Sequence, residues 1–589
     1  MYNKYYQEEL AFLREMGAEF ARVNPAAAPF LAERGADPDV ERLLEGFAFL
    51  TGKLRLKLDD EFPELTQSLI RILYPHYLRP VPAMSVLQFE PAPNMVKTAQ
   101  RIPRGTAVDS VPVEDKACRF RTCADVDLLP LAVREASLER PSGAAAALKL
   151  KIVFLPGAVA DKPGPIRPRL FLHGDPATAC SLYLHLTRHL KEVIVRPLGA
   201  AAAARKVTLP PEAVRTAGFN EQDALIPYPT HAFPGYRLLQ EYFTLPQKFL
   251  FLDIEGLGDL SALQPLQEGF EILFALSRQP DAGLRVAAEN VRMNCVPVVN
   301  LFDCQSDPIR VDQRRVEYVV RPEAAKAPQA GVFSVNRAMG WEAGTADPRD
   351  LPDFASLGRG LGEKRGPGIV YFATRLRPSI LGAGVETFVS FVTESGESAM
   401  PPTETVVLEL TCTNRDLPQG LRVGDLCRPT SSTPTFARFR NITPVTPNLD
   451  PPLGPGLHWR LISNLCLNYL SLSSPEALRN LVGLYNFRAL YDRQAEREHQ
   501  LRLEAIRSVK AVPEERLHRG TPVRGTRIEI ELAEANFAAE GEMVLFGDVL
   551  SEFLALYCSI NSYSRLVLRG AEKGEVYTWS PRSGRQTLI

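Results

Sequence analysis

Near its start the chain runs Tyr2-Asn-Lys-Tyr-Tyr-Gln-Glu-Glu-Leu-Ala-Phe-Leu-Arg-Glu-Met-Gly-Ala-Glu-Phe20, a stretch with helical spacing of apolar residues. One stripe of an α-helix is formed by residues three or four positions apart: Tyr2, Tyr6, Leu10, Leu13, Met16 and Phe20. Tyr5 and Phe12 lie off that stripe, so the helix must be covered on more than one side. Either this chain covers it, or helices of a partner chain complete a bundle.

Two further helices follow. Asp37-Pro38-Asp39 predicts a helix start, because Asp accepts hydrogen bonds from free N–H groups and Pro loses none at the first helical position. The next apolar residues predict a core-facing stripe: Val40, Leu43, Leu44, Phe47 and Leu50. A third helix begins at Pro63 and continues through Leu65, Leu69, Ile72 and Leu73, and prolines 75, 80 and 82 end it.

Beyond residue 84 the apolar period changes from that of a helix to that of a strand. Strands are predicted at 85–90, 148–154, 181–187, 249–253, 406–410, 527–532, 564–568 and 576–579. Helices are predicted at 235–243, 474–490, 492–510 and 544–557. We therefore predict a multidomain α+β protein with an N-terminal helical segment (1–82), a β-rich domain with inserted helices (83–325), a β-rich middle domain with Gly/Pro-rich loops (326–455), and a small C-terminal α/β domain (456–589).

The composition excludes two classes of protein. The 589 residues are 45% hydrophobic and 23% charged, which is too apolar for a largely disordered chain. Because 68 Lys and Arg face 69 Asp and Glu, the chain has no charge surplus with which to hold nucleic acid. The 49 prolines, about 8% against a usual ~5%, predict many stiff turns and edge strands.

The cysteines indicate a reducing compartment. Nine are scattered along the chain without a CxxC pair, so neither a zinc ribbon nor a thioredoxin-type site is predicted, and Cys118 with Cys123 is the weak candidate for a redox pair. The N-terminus has no basic region followed by an apolar one, and no apolar run is long enough to span a bilayer. We expect a cytoplasmic protein.

Four clusters are candidates for chemistry, and each favours a structural interpretation. His185 and His189 have the i, i+4 spacing of zinc ligands, but the alternating Leu182, Leu184 and Leu186 predict a strand that would hold the histidines about 13 Å apart. The glycines at 358–362 match neither a P-loop nor a dinucleotide fingerprint. The carboxylates at 59–61 precede a helix start. Arg415 and Asp416 predict a buried ion pair at a turn.

These observations predict no catalytic residue, no metal and no cofactor. The rival interpretation is a β-rich enzyme of unknown substrate, for which Asp59, Asp60 and Glu61 are the one obvious carboxylate cluster. A pocket of perturbed carboxylates would favour that enzyme, whereas large apolar faces would favour a scaffold.

Several longer strings resemble one family, the TssF (also ImpG or VasA) baseplate subunits of the bacterial type VI secretion system. They occur in the family's order over nearly the whole chain, at residues 5–15, 37–50, 74–80, 118–123, 235–243, 297–302, 413–418, 545–550 and 559–561. Residues 325–400 fit least well.

The resemblance implies a structural subunit rather than an enzyme. A TssF-like chain is expected to assemble with TssG, a second TssF copy, TssK, TssE and the spike or hub protein into a baseplate wedge. That baseplate starts assembly of the contractile sheath and tube, docked at the inner-membrane complex through other subunits, without nucleic acid or membrane insertion. A phage-tail wedge protein outside secretion is an alternative. The partner-binding residues expected are those of the first helix: Tyr2, Tyr6, Leu10, Leu13, Met16 and Phe20.

Overall fold

The computed structural model describes residues 2–584 with gaps. The gaps are 25–36, 60–62, 142, 159–166, 199–204, 230–231, 259–262, 264–265, 267, 313–314, 324–328, 342–346, 357–368, 380–383, 394–397, 400–404, 454–456, 465–473 and 519–520. Within helices and strands the side chains of 2–4, 18, 21, 54–59, 63–65, 464, 518 and 521 are also outside the described part.

The described α-helices lie at both ends of the chain and between strands. They are α1 (Tyr2–Val23), α2 (Pro38–Asp59), α3 (Pro63–Leu73), α4 (Pro176–Arg188), α5 (Pro234–Thr244), α6 (Leu457–Asn464), α7 (Pro475–Gly483), α8 (Arg493–Ala505) and α9 (Glu540–Leu556). The three helices predicted before residue 80 are confirmed. The side chain of Asp37 accepts a hydrogen bond from the Asp39 amide at 2.9 Å, as expected for a capping residue.

Strands dominate the remainder of the described chain. They are β1 (Met84–Pro91), β2 (Gln100–Ile102), β3 (Ala107–Val113), β4 (Lys116–Thr122), β5 (Val126–Leu128), β6 (Leu131–Glu139), β7 (Ala146–Phe154), β8 (Arg169–Leu172), β9 (Leu190–Pro197), β10 (Val207–Leu209), β11 (Val214–Thr216), β12 (Phe251–Ile254), β13 (Gly269–Leu276), β14 (Val291–Met293), β15 (Cys295–Val299), β16 (Phe302–Gln305), β17 (Ile309–Arg310), β18 (Glu317–Val319), β19 (Gly331–Trp341), β20 (Arg349–Leu351), β21 (Tyr371–Pro378), β22 (Val385–Val392), β23 (Thr405–Thr413), β24 (Ala437–Asn441), β25 (Ile506–His518), β26 (Thr521–Leu532), β27 (Ser562–Gly570), β28 (Val576–Thr578) and β29 (Arg582–Ser583). The predicted α+β class with a β-rich middle is confirmed.

The strands pair into several separate sheets. Their orders are β24-β1-β15-β4-β3, β10-β9-β13-β7-β6, β11-β12-β8-β14, β16-β23-β19-β20 with β17 on β23, β18-β22-β21, β2-β5, and β25-β26-β27-β28 with β29 on β27. In the first sheet, the Gly424 amide donates to Asn441 O at 3.0 Å and the Arg428 amide to Asp109 O at 2.9 Å. Segment 424–428 therefore bridges the two edges of that sheet around an apolar core that contains Phe89, Phe120 and Phe439.

The C-terminal sheet is built around a buried helix. β26 and β27 run parallel from Arg524↔Ser562 to Leu532↔Gly570, and α9 connects them as the crossover that a parallel pair requires. α9 is almost wholly buried, and its buried residues include apolar side chains on every side of the helix. A Cβ on Gly541 would lie 2.0 Å from the carbonyl oxygen of Cys180 in α4, so only glycine permits this close helix contact.

The described residues divide into two compact units. The smaller one contains residues 1–74 together with 453–463, so α6 joins the N-terminal helices although it is distant in sequence. The larger one contains residues 75–452 and 464–589. The four-domain division at 82, 325 and 455 stays a prediction.

Three secondary-structure predictions were wrong in whole or in part. The predicted helix at 474–490 contains only one α-helix, α7, which ends at Gly483. Residues 181–187 belong to α4 and not to a strand; Asp175 caps this helix by accepting hydrogen bonds from the Ala177 and Thr178 amides, each at 3.0 Å. The alternation of leucines was misleading because α4 is buried on several faces. The predicted helix at 492–510 ends at Ala505, where β25 begins.

Candidate protein interface

The first two helices form an antiparallel hairpin that approaches through small residues. Ala48 in α2 is fully buried, and a Cβ on Gly52 would lie 3.1 Å from the backbone nitrogen of Tyr6 in α1. The Arg14 guanidinium pairs with the Glu41 carboxylate at 2.7 Å. As residue numbers rise from Tyr6 to Arg14 in α1, the neighbouring α2 residues fall from Gly52 to Glu41, so the helices run in opposite directions.

The stripe predicted to bind a partner is partly buried within this chain and partly exposed. Leu10 is only 5% exposed, and Tyr6 and Leu13 are half-buried, so these residues face the chain itself. Met16 is 46% and Phe20 56% exposed. The backbone of Tyr2 begins α1, but its side chain lies outside the described residues. Among the described side chains of the predicted stripe, only Met16 and Phe20 are therefore open to a partner.

Several other apolar residues that were predicted to face the core are exposed instead. Leu43, Phe47 and Leu50 of α2 are each more than half exposed, although their spacing predicted a core-facing stripe. The spacing correctly indicated that one face of α2 is apolar. It does not show which chain covers that face. Phe12, which lies off the predicted stripe, is likewise more than half exposed.

These exposed residues share one face of the hairpin. At 100° per residue, Phe12, Met16 and Phe20 lie 80–160° around α1 from Leu10, which faces α2. Leu43, Phe47 and Leu50 lie 100–160° around α2 from the buried Ala48, in the same rotational sense. Because the helices are antiparallel, rotation in the same sense brings both sets to the same side. We call these six residues the hairpin face: Phe12, Met16, Phe20, Leu43, Phe47 and Leu50.

The third helix and α6 complete the small unit. Ile70 of α3 is fully buried, and the hydroxyl of Thr66 lies 3.4 Å from Nδ1 of His458 in α6. Ile72, Leu73 and Trp459 each leave more than a third of their surface exposed. This unit thus carries a large apolar surface on several of its helices, which is typical of a protein that binds other proteins.

Three of the strings quoted in the sequence analysis meet in the large unit. The side-chain nitrogen Nδ2 of Asn300 donates to the side-chain oxygen of Asn414 at 2.7 Å and to the backbone oxygen of Arg119 at 2.8 Å. The Asn414 side chain also accepts from the Arg119 amide at 3.0 Å. Both asparagines are buried, so this network joins strands of two sheets. Arg415 and Asp416 follow at the surface, and the expected burial of this pair was wrong.

The motif at 235–243 has a structural role as well. Glu241 in α5 is fully buried and pairs with the buried ammonium of Lys248. Its other carboxylate oxygen accepts from the Leu225 and Ile226 amides at 2.8 and 2.9 Å. A single carboxylate therefore fixes the proline-rich segment that begins at Ile226 against α5.

The candidates for chemistry are not assembled into a metal or catalytic site in the part of the chain described. No group of three or more His, Cys, Asp or Glu side chains among these residues is placed to hold a metal. His185 and His189 do come together, with ring centroids 5.5 Å apart, because their segment is helical. The glycines at 358–362 and the acids at 60–61 lie outside the described residues, as does the side chain of Asp59.

Two buried thiols and one cleft are further candidates for chemistry, judged by the charge and burial of their side chains. Burial raises the pKa of Cys118 to about 11 and of Cys123 to about 12, so neither is an activated thiolate. A cleft of about 570 Å³ is lined by arginines and carboxylates, but Arg169 there already pairs with Asp253 at 2.7 Å and Asp223 at 3.2 Å. None of the helices in the described ranges has the length and apolar character needed to cross a bilayer.

A family model and a known relative both match nearly the whole chain. The family model described as "Type VI secretion system, TssF" matches residues 2–586. A relative from Pseudomonas aeruginosa, the type VI secretion system component TssF1, is 34% identical over 637 aligned residues, covering 99% of this chain and 98% of the relative.

Two solved structures are also similar. A chain of the type VI secretion TssK-TssF-TssG baseplate subcomplex, determined by cryo-electron microscopy, is 32% identical with a TM-score of 0.76, covering 93% of this chain and 99% of that one. A chain of the baseplate complex from the type VI secretion system is 29% identical with a TM-score of 0.63, and both chains are covered completely.

The fold and the exposed helical surface are those of a structural subunit of a contractile injection baseplate. Within that class, this chain belongs to the TssF family of the type VI secretion system. The resemblance noted in the sequence is confirmed.

Proposed function

We propose that this chain is a non-catalytic wedge subunit that assembles with a TssG-type and a TssK-type subunit, and that its hairpin face is buried in that assembly. The hairpin face carries the proposal: three aromatic and three aliphatic side chains are open on one side of α1 and α2. Obligate interfaces are more apolar than the rest of a protein surface. The similarity to a chain of a TssK-TssF-TssG subcomplex supports the choice of partners.

Further partners belong to the same proposal. A second copy of this chain, a TssE-type subunit and the spike or hub protein complete the wedge, and the wedges together start sheath and tube assembly. The assembly sits in the cytoplasm and reaches the inner-membrane complex through other subunits. Similarity to a chain of a whole baseplate complex supports this arrangement.

The test replaces apolar residues of the hairpin face by aspartate. Phe20→Asp with Phe47→Asp should abolish co-purification with a co-expressed TssG-type subunit, while circular dichroism of the chain stays unchanged. Leu13 is a poorer site because it is half-buried within the hairpin. Each phenylalanine has somewhat more than half of its surface open, so the pair should contribute roughly 2–3 kcal/mol of binding, about 30–150-fold in Kd.

A matched control uses exposed apolar residues of the large unit. Leu517 and Ile560 are 72% and 53% exposed, and Leu517→Asp with Ile560→Asp should leave co-purification intact. Equal recovery of the partner with both double variants would contradict the assigned interface. The isolated chain should also self-associate in sedimentation velocity, because its hairpin face is uncovered; a stable monomer at high concentration would count against an obligate interface.

A further inference from the structure

Residues 302–413 form a β-sandwich inserted into the larger unit, and we call this segment the inserted module. Its two sheets are β16-β23-β19-β20, with β17 on β23, and β18-β22-β21, and their strands pair only with one another in the ranges that the structure describes. Both sheets contribute to one apolar core, which includes Val389 and Leu408. The core of the first sheet, around Phe89 and Phe120, shares no residue with it. The inserted module is therefore packed around a core of its own.

Both ends of the inserted module lie at one point. Phe302 and Cys412 are direct neighbours in β16 and β23, so the chain enters and leaves the module side by side. The residues that flank the module, Asn300 and Asn414, bind each other reciprocally. The Asn300 side chain donates to the Asn414 side chain, and the Asn414 amide donates to Asn300 Oδ1, each at 2.7 Å. Two adjacent chain crossings form a pivot, because few backbone angles need to change when the module turns there.

The residue that follows this asparagine pair has a strained backbone. Arg415 has a φ of +48°, in the left-handed region that a bulky side chain rarely adopts. Its amide donates to the Thr413 hydroxyl at 3.3 Å, and a Cβ added to Gly331 of the module would lie 2.8 Å from its Cγ. Strain of this kind persists only where the surroundings fix it. The contact with Gly331 is one that a turn of the module would release.

The inserted module meets the surrounding unit along a seam that leaves a polar atom unsatisfied. Segments 331–332 and 384–387 of the module line a cleft together with segment 448–451 of the surrounding unit. In this seam the side-chain oxygen Oδ1 of Asn448 is buried, and it has no hydrogen-bond partner among the described residues. A buried acceptor without a partner is unfavourable, because it has lost its water without a replacement.

The carboxylate of Asp450 is a second unfavourable group in the seam. A Cβ added to Gly384 would lie 3.5 Å from its Oδ2, so the carboxylate reaches the module. Burial and the charge of Asp416 raise the pKa of Asp450, and Arg415 opposes this rise. A turn of the module away from the seam would return the carboxylate to water. Parts of one chain that lack a large apolar contact are expected to move relative to each other.

We propose that the inserted module turns as one body about the Asn300–Asn414 pair, between the closed arrangement of this structure and an open one in which the seam at 448–451 is hydrated. The closed arrangement is held by contacts such as that of the Arg79 guanidinium, which lies 5.4 Å from the centre of the Phe333 ring in the module. The chain thus carries an arm with two positions. This movement goes beyond the assembly of the subunit and does not depend on the hairpin face being an interface.

The test measures distances between spin labels in the full chain by double electron–electron resonance. Val316→Cys with Val423→Cys places one label on the module and one outside it, whereas the control, Met95→Cys with Val423→Cys, places both labels outside. All three sites are more than half exposed. Cys427, the exposed native cysteine among those described, is replaced by serine in both. We expect two distances for the first pair of labels and one for the control pair.

A charge variant tests the role of the seam. Asp450→Asn keeps the shape of the side chain and removes its charge, so it should lower the open-to-closed ratio by about two- to fivefold. Asp127→Asn, at an exposed acid outside the seam, should leave that ratio unchanged.

Three results would overturn the proposal. A single distance for the Val316–Val423 labels, as narrow as that of the control pair, would show that the module does not turn. Two distances for the control pair would place the movement outside the inserted module. Equal ratios in the Asp450→Asn and Asp127→Asn chains would show that the seam does not set the balance between the two positions.

Discussion

Replacing Lys248 by methionine should destabilise the large unit by about 3–5 kcal/mol, because it removes one partner of a buried ion pair and leaves the other charged. Lys248 is 2% exposed and Glu241 is fully buried, so water cannot solvate the carboxylate that remains. The Leu225 and Ile226 amides still donate to it, which is why we expect the chain to fold.

The assay is guanidinium denaturation followed by tryptophan fluorescence, together with hydrogen exchange at the Leu225 and Ile226 amides. Exchange at these two amides should accelerate more than elsewhere. Adding Glu241→Gln to Lys248→Met should recover part of the lost stability, because no charge then stays buried without a partner. A control, Lys151→Met, breaks an exposed pair with Glu135 and should cost less than about 1 kcal/mol. The reasoning fails if Lys248→Met and Lys151→Met have equal effects, or if the double variant is the least stable.

Three other perturbations test the packing and the electrostatics. Gly541→Ala should lower the free energy of unfolding by more than about 3 kcal/mol, because its Cβ would overlap Cys180 O. Gly46→Ala, where nothing lies within 4 Å of the new Cβ, should raise it by up to about 1 kcal/mol. Thermal melts compare the two variants. Asn414→Ala should cost about 1–3 kcal/mol by leaving buried partners unsatisfied, measured by denaturation. Burial, helped by the charge of Arg502, lowers the pKa of His499 from 6.5 to about 4; stability should therefore be full above pH 6.5 and decline as the pH falls from 6.5 towards 4, and His499→Gln should flatten that part of a stability-versus-pH curve.

Much of the fold could be predicted from signals in the local sequence. The Asp-Pro pair at 37–38 correctly predicted the start of α2, because capping depends only on adjacent residues. The same pair at Asp175-Pro176 starts α4, but only the alternating leucines entered the prediction of a strand there. The end of α8 depends on a distant side chain: the Arg479 guanidinium binds Leu503 O and Ile506 O at 3.0 and 3.1 Å. Long-range contacts of this kind are not visible in the local sequence.

The candidate interface was predictable only in part. The apolar spacing of α1 and α2 was read correctly, but whether Leu43 or Phe47 is covered by this chain depends on the approach of the two helices at Ala48 and Gly52. Small residues bring the backbones together and leave the large side chains outside. Sequence spacing shows an apolar face, whereas only the packing shows that this chain leaves the face uncovered.

The path of the chain between the two units has a mechanical consequence. The polypeptide passes from one unit to the other after residue 74, returns after residue 452 and leaves again after residue 463. A pull on the small unit is therefore shared by three covalent links, and cutting any single link leaves the units joined by the other two. Deleting the first 74 residues would leave residues 453–463 without the other helices of the small unit. We therefore expect this truncation to destabilise the protein more than the loss of an N-terminal segment usually does. Three covalent links therefore divide a tension that a single link would have to bear alone.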